Sequence, residues 1–370
     1  MELMTLDAAF QPVKILENFE SLVWSERYSN AGDFEFVSAD IENTINTLPL
    51  ESYVTLREST VPMVVEQHKI RKPLRDKATI TVTGRSFETV LERRASVFSL
   101  PAAATRGVWT VAADKRSDAA YKAIRTVIGD VIRMAPGGGQ ALAAIPPQAS
   151  TLDAIPQINL PLPADYSLGL TTPYEIQPGD LYSTVIEMIA EDHHGIKAVR
   201  PASSAKNTVD IEIYNGADLT ATVIFDARFD QFDDATYLLS KTASTNIAYV
   251  YGPNGSQAVR KNTVGPEVSG LDRRVLLVDE QSDTSNAALN STTLRTSRGL
   301  VELYKYNATA LFDGETSVQV TAGYNTRYHL GDILKLNGEY GLSATVRVAE
   351  FIRTSDSSGE KAYPAFETVE

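Results

Sequence analysis

The stretch SLVWSERYSNAGDFEFV, residues 21–37, sets Glu26, Asp33 and Glu35 among Trp24, Tyr28, Phe34 and Phe36. Carboxylates beside aromatic rings are the chemistry of a sugar-cleaving cleft, where one carboxyl protonates the leaving group and another attacks or activates water. Asn30-Ala31-Gly32 reads as a three-residue hairpin closure with Gly32 in the left-handed conformation. That closure pairs Tyr28 with Phe34, Arg27 with Glu35 and Glu26 with Phe36. Leu22, Trp24, Glu26, Tyr28, Phe34 and Phe36 then share one face, and Val23, Ser25, Arg27, Glu35 and Val37 share the other. Glu26 and Glu35 fall on opposite faces and cannot flank one glycosidic bond. Arg27 and Glu35 become a cross-strand ion pair worth about 0.2–1 kcal/mol when exposed. Glu26 stands alone among aromatic rings, where a carboxylate must find a donor or shift its pKa upward. It reads either as a general acid or as a carboxylate held by a basic side chain from a neighbouring strand or subunit. The second is the expectation.

Other chemistry-bearing groups are weaker. His193-His194 follows Glu191 and Asp192, but adjacent histidines do not converge on a metal as an i, i+4 pair does. The pair reads as a helix end, favoured there by the helix dipole. His68 and His329 are isolated. Asp226, Asp230, Asp233 and Asp234 lack the alternate spacing and central glycine of a calcium loop, and read as a solvated acidic loop. PGGGQ has no following Lys-Ser/Thr and is no phosphate cradle. HKIRKPLRDK gathers Lys69, Arg71, Lys72, Arg75 and Lys77 around Pro73, the pattern of a hairpin tip able to dock an acidic partner. No nucleophile elbow is present. No catalytic, cofactor-binding or metal-binding residue is assigned, and no cofactor is expected.

The chain has 370 residues, 43% apolar and 22% charged, enough for several domains with real cores. A net charge of −13 argues against a general nucleic-acid binder and against attachment to anionic membranes. The absence of cysteine excludes disulfides, zinc ribbons, iron–sulfur sites and thiol nucleophiles. MELMTLDAAFQPVKIL lacks the pattern of a signal peptide, and no run approaches the ~20 apolar residues that cross a bilayer. A soluble protein made in the cytosol is expected.

Residues 1–84 read as closely spaced strands. YVTLRE turns Val54 and Leu56 to one face, and ATITVTG turns Ile80 and Val82 inward with Thr79, Thr81 and Thr83 outward. Ser86 caps a short helix, FETVLERR, with Phe87, Val90 and Leu91 on one face. Ser117 caps a second helix that ends at PGGG. A Pro/Ala-rich excursion follows, near 135–165. Asp180 caps a third helix with Leu181, Val185, Met188 and Ile189 buried and Gly195 as its stop. IKAVRP, TVDIEIYN and LTATVIFDAR follow as strands, then NIAYVYG and RVLLVD. A long helix is expected over 285–308, with Leu294, Leu300, Val301 and Tyr304 apolar. TSVQVTA, GDILKL, ATVRVAEFIR and AYPAFETVE close the chain as a second strand-only block. The fold class is therefore α+β and β-rich, with strand-only blocks flanking a mixed middle.

Trp24-x-Glu26-Arg27-Tyr28, Gly32, Phe34, Glu66, then Gly84-Arg85-Ser86 before a helix ending in Arg93-Arg94, resembles the tail-tip hub proteins of long-tailed phages of Gram-positive hosts. NIAYVYG, the helix near 300 and YHLGDILKL leading to TVRVAEFIR match more loosely. The resemblance implies two small β-barrel domains with mixed α/β domains between them. The N-terminal barrel takes 1–105, the mixed domain 106–245, a strand–helix segment 246–308 and the C-terminal barrel 309–370. It implies a homotrimeric hub in the virion that closes the distal end of the tail tube. Its partners are then the distal tail protein, the tape measure protein and tip or fibre proteins. The chain ends soon after its last barrel, so no appended cell-wall hydrolase is expected. A carbohydrate-active enzyme using Glu26 with Glu35 or Asp33, and a host-surface adhesin using the 135–165 excursion, are the alternatives.

Overall fold

The computed structural model describes residues 1–74, 77–94, 109–111, 120, 155, 157–159, 174–176, 179–190, 193–200, 207–229, 232–252, 255–262, 265–279, 292–306, 309–316, 321, 323–338 and 343–369. The N-terminal segment runs through β1 (Leu3–Leu6), β2 (Pro12–Leu16), β3 (Ser21–Arg27), β4 (Asp33–Ser38), α1 (Ile41–Thr47), β5 (Tyr53–Leu56), β6 (Met63–Arg71) and β7 (Thr79–Ser86). A 3-10 turn over Phe87–Arg93 ends it. In β7 the expected alternation holds: Ile80 and Val82 are buried between half-buried threonines. Val54 and Leu56 join the same core. Helix α1 escaped the sequence reading, since it buries only Thr44 and leaves little apolar periodicity to detect. Asp40 caps it, accepting from the Asn43 amide.

The middle of the chain contains β8 (Trp109–Val111), β9 (Ile158–Asn159), β10 (Tyr174–Ile176), α2 (Leu181–Ala190), β11 (Gly195–Val199) and β12 (Val209–Tyr214). β10 pairs with β8, and β11, β12 and β9 form a three-stranded sheet. Asp180 caps α2 as expected, taking the Ser183 amide at 2.7 Å, and Leu181, Val185, Met188 and Ile189 are all buried. Gly195 does not stop this helix. The chain reverses at His193, whose φ is 54°, and Gly195 opens β11 because a Cβ there would lie 2.4 Å from the Tyr28 ring. The helix expected after Ser117 and most of the 135–165 excursion lie outside the described residues.

Next come β13 (Ile224–Asp226), β14 (Phe232–Ser240), β15 (Ile247–Gly252), β16 (Gly255–Arg260), β17 (Val275–Asp279) and α3 (Thr292–Lys305). The chain closes with β18 (Thr309–Thr316), β19 (Ile333–Asn337), β20 (Ser343–Asp356) and β21 (Gly359–Thr368). Helix α3 packs on the sheet β16-β15-β17, where Ala248, Val250, Val259, Val278 and Leu303 form a core. The 285–291 part of the expected helix is outside the described residues.

One eleven-stranded sheet joins the two ends of the chain, in the order β13-β19-β20-β3-β4-β7-β6-β5-β1-β2 with β21 on β20. The strand blocks read separately from the sequence are thus hydrogen-bonded through β3 and β20, which set Trp24 opposite Arg353 and Glu26 opposite Phe351. Among the described residues this ladder is an open path and does not close into a barrel. Three cores touch it, one of them shared by Leu6 and Val64 with α2 and the β11–β12 pair. Leu22, Trp24, Phe34 and Phe36 belong to the N-terminal one, and Phe225, Tyr328, Leu334 and Val348 to the C-terminal one.

The 21–37 hairpin differs from its sequence reading. Trp24, not Tyr28, faces Phe34, and Ser25 faces Asp33, so pairing begins four residues earlier along β3. Glu26 and Arg27 pair with β20 on the other edge of β3 but have no partner in β4, so the connection to β4 is longer. Because the shift is even, the two faces are unchanged and the aromatic residues stay buried. The Arg27–Glu35 pair does not form. Arg27 bridges Asp33 and Glu350, each at 2.9 Å, while Glu35 is exposed opposite Val23 and Thr83. Gly32 does not take a positive φ. It is needed for closeness: a Cβ there would lie 2.4 Å from the Ser25 carbonyl oxygen.

Candidate functional site

Glu26 finds the basic partner expected of it, and the partner comes from the far end of the sequence. Arg353 Nη1 donates to Glu26 Oε1 at 3.2 Å, and Trp24 Nε1 donates to the same oxygen at 3.0 Å. Both charged side chains are nearly buried, at 12% and 10% exposure. A buried pair of this kind is costly to break, about 3–5 kcal/mol when one partner is removed. Glu26 is therefore tied to Arg353 and Trp24 across the β3–β20 pairing.

Beyond Glu26 the end of β3 opens into a cavity of about 320 Å³. Its walls come from the end of β3 with Gly32, Thr60 and Val61 between β5 and β6, Ser86 and Glu88 at the end of β7, the β11–β12 pair with the 215–217 segment, and the 324–332 loop before β19. The loops close tightly by backbone contact. Asp332 takes the amides of Ala217 and His329, each at 2.7 Å, and a Cβ on Gly216 would lie 1.8 Å from the Gly331 carbonyl oxygen. Lys197 borders the cavity from β11, paired with Glu212 at 3.1 Å and set 4.4 Å above the Tyr214 ring.

Glu88 is the unusual group in this wall. It is 3% exposed, and the Ser86 hydroxyl hydrogen-bonds its Oε1. Its Oε2 is buried with no hydrogen-bond partner. Burial raises its pKa to about 7, helped by the nearby Glu26 charge and opposed by the Ser86 hydroxyl and the Glu88 and Ala198 amides. The Tyr214 hydroxyl in the same wall is also buried without a partner. Desolvation, then the neighbouring Tyr28, Tyr324, Glu26 and Glu88, pushes its pKa well up. The sequence reading turned Phe87, Val90 and Leu91 inward and so passed over Glu88. The segment is a 3-10 turn packed by α2 and β11, and it buries Glu88 and Thr89 as well.

Tyr28, placed on the aromatic face of the hairpin by its spacing, locks the wall from behind. Its ring lies between Gly195 and Gly331, where added Cβ atoms would approach to 2.4 and 2.2 Å. Its hydroxyl donates to the His193 carbonyl at 2.8 Å, and Arg347 lies 4.8 Å above the ring. His193 thus serves through its backbone. His68 meets the Leu48 carbonyl at 2.6 Å, and His329 is exposed near Asp332. Asp226, read as solvated, is buried and held by Arg228 through two contacts of 2.6 and 2.9 Å. Asp230 and the side chains of Asp233 and Asp234 lie outside the described residues. Among the described residues no group of three or more His, Asp or Glu is arranged to hold a metal. No helix among them is long and apolar enough to cross a membrane.

A family profile described as Siphovirus ReqiPepy6 Gp37-like protein matches residues 2–366. The chain belongs to that family. The fold of this Gp37-like chain is similar to those of solved phage tail proteins. The 43 kDa tail protein of prophage MuSo2 from Shewanella oneidensis aligns at TM-score 0.59 and 12% identity, covering 100% of this chain and 98% of that one. The tail protein from Neisseria meningitidis MC58 aligns at 0.55 and 10%, covering 100% and 96%. Prophage tail protein gp18 from Listeria monocytogenes EGD-e aligns at 0.52 and 13%, covering 100% and 95%. A search of curated proteins finds no match.

The residues that carried the siphophage resemblance are structural in the Gp37-like chain. Arg85 makes paired contacts of 2.7–3.0 Å with Glu66 and Glu92. Gly84 admits the Val64 carbonyl, which would lie 1.8 Å from a Cβ. The Ser86 hydroxyl receives the Gly32 amide at 2.9 Å, and the Gly32 carbonyl receives the Ser86 amide at 2.9 Å. Arg93 pairs with Glu51, and the Arg94 carbonyl receives the Leu181 amide at 2.8 Å, tying the turn to α2.

Proposed function

We propose that this protein is a non-enzymatic structural component of a phage virion, a trimeric hub at the distal end of the tail tube. One observation carries the reading: a siphovirus family profile and the fold of three phage tail proteins both run over essentially the whole chain. In this reading residues 1–105 and 309–370 supply two barrel-like units, and the parts between them brace neighbouring copies. Three copies then present six such units to the tube. The distal tail protein, tape measure protein and tip or fibre proteins are its partners, and it is synthesised in the host cytoplasm before assembly. The side chains of the opening hairpin support a role without turnover, since Glu26 and Asp33 are engaged by Arg353 and Arg27 and Glu35 lies on the other face. Mass photometry of the purified chain, with cryo-EM of intact tail tips, tests the proposal. Trimers and density at the tube's end are expected. A stable monomer that is missing from purified virions would overturn it.

A further inference from the structure

We infer that the tip of the β6–β7 hairpin docks on the carboxylate-bearing rim of a second copy of this chain. The sequence concentrates charge at the tip: residues 68–77 hold five of the chain's 34 basic residues and one of its 47 acidic ones. β6 ends at Arg71 opposite Thr79 of β7, so the connection from Lys72 to Ala78 forms the tip. Lys69, Arg71 and Lys72 are exposed and make no ion pair with any described residue. Apolar side chains stand among them, with Leu74 99% and Ile70 54% exposed. Covering such surface is favourable, and the cations beside it give the contact its sign.

Strand register places the complementary charge at the same end of the sheet. Ser38 of β4 faces Ile80, Ser21 of β3 faces Val37, and Asp356 of β20 faces Ser21. The hairpin tip, the start of β3 and the β20–β21 turn therefore share that end. Glu17, Glu20 and Asp356 are exposed on the flank made by β3 and β20, beside Glu360, which holds the Met1 ammonium. Strand β2 leads into Glu17 and exposes Val13 at 66% and Ile15 at 42%, an apolar counterpart to Ile70 and Leu74. Within one copy β20 and β7 stand three strand spacings apart, about 14 Å, beyond the Debye length of about 8 Å at physiological salt. The tip and that flank thus do little for each other inside a chain. Asp40 and Glu42 lie nearer the tip, where Asp40 is committed to capping α1. A flat polyanion, whether an anionic membrane or a nucleic acid, would meet the rim's carboxylates together with the tip and be repelled. A second copy turns its rim toward the tip instead, a head-to-tail contact that closes into a ring when the rotation allows. The ring rests on the trimeric hub reading, and the contact names the surfaces through which its copies meet.

Sedimentation velocity of the purified full chain, at about 50 mM and about 500 mM sodium chloride, tests the contact. Self-association that weakens with salt is expected. The variant Lys69→Glu, Lys72→Glu should weaken it about tenfold or more, and so should Glu17→Lys, Glu20→Lys. All four side chains are exposed, and circular dichroism checks that each variant folds. Combining both sets in one chain exchanges the charges and should restore the parent's association, which a general loss of stability could not do. Phosphatidylserine vesicles and a DNA duplex are parallel probes. A chain that stays monomeric at both salt levels, undiminished association in the reversed variants, or no rescue in the combined chain would overturn the inference. Binding of vesicles or DNA that depends on the tip, without self-association, would overturn it too. Such a failure in a chain that still gives density at the tube's end would leave the hub reading in place.

Discussion

Glu88→Gln gives a sharp forecast, because the cost of the native carboxyl follows from its place in the fold. Glu88 is fully enclosed, and desolvation lifts its pKa from an ordinary 4.5 to about 7, against the pull of the Ser86 hydroxyl. The folded chain therefore keeps this proton up to about pH 7, while the unfolded chain releases it near 4.5. Between those values the folded state binds more protons, so stability falls as pH rises. Below 4.5 both states are protonated and there is no cost. Above 7 the whole cost applies, about 3 kcal/mol at about 1.4 kcal/mol per pH unit. Glutamine cannot ionise, so the variant lacks this slope. Constant effects, such as an altered bond to Ser86, cancel when the two proteins are compared at two pH values. Urea unfolding followed by tryptophan fluorescence, at about pH 4.5 and about pH 8, is the assay. The stability difference between variant and parent should move by about 3 kcal/mol in the variant's favour across that window. A change below about 0.5 kcal/mol would show that Glu88 titrates as an ordinary carboxylate, and the reasoning from burial would fail.

Other substitutions probe the packing around it. Glu26→Ala leaves Arg353 enclosed without its anion and should cost about 3–5 kcal/mol, whereas the double variant Glu26→Ala, Arg353→Met should cost clearly less than the two single changes added together; additive losses in urea unfolding would mean that the pair is not coupled. Gly84→Ala sets a Cβ against the Val64 carbonyl and should cost several kcal/mol or prevent folding, while Gly359→Ala, with φ at 125° but open space around it, should cost only about 1–2 kcal/mol. Thermal melts that reverse this order would refute the close-packing account of Gly84. Tyr28→Phe removes one of the two donors to the His193 carbonyl, leaving Arg347 Nη1 at 3.1 Å, and should lose about 1 kcal/mol with faster amide exchange at the start of β11; unchanged exchange there would remove Tyr28 as the lock on that wall.

Much of this molecule is set by local patterns that the sequence carries on its face. The alternation in β7, the Asp180 cap and the apolar stripe of α2 each follow from residues within one turn or one strand of each other. The two faces of the opening hairpin were legible for the same reason, because period two survives an even change of register. Register itself was not legible. β4 pairs only with Ser21–Ser25 of β3, whose other edge is held through Arg27 by β20, more than 300 residues downstream. The sequence also required Glu26 to have a basic partner, since a carboxylate among aromatic rings has few alternatives, but it could not name Arg353. The glycines show the same division. Gly84 and Gly195 are visible in the sequence as glycines, yet what each must accommodate is an atom from another segment, the Val64 carbonyl and the Tyr28 ring. Glu88 lies furthest from sequence reasoning. A glutamate in the first turn of a short helix is normally solvent-facing, and only the convergence of β3, α2, β11 and the 324–332 loop removes its water. Local propensity and periodicity are one-dimensional, whereas desolvation depends on which distant surfaces meet. For that reason the cavity and its charge belong to the tertiary structure alone.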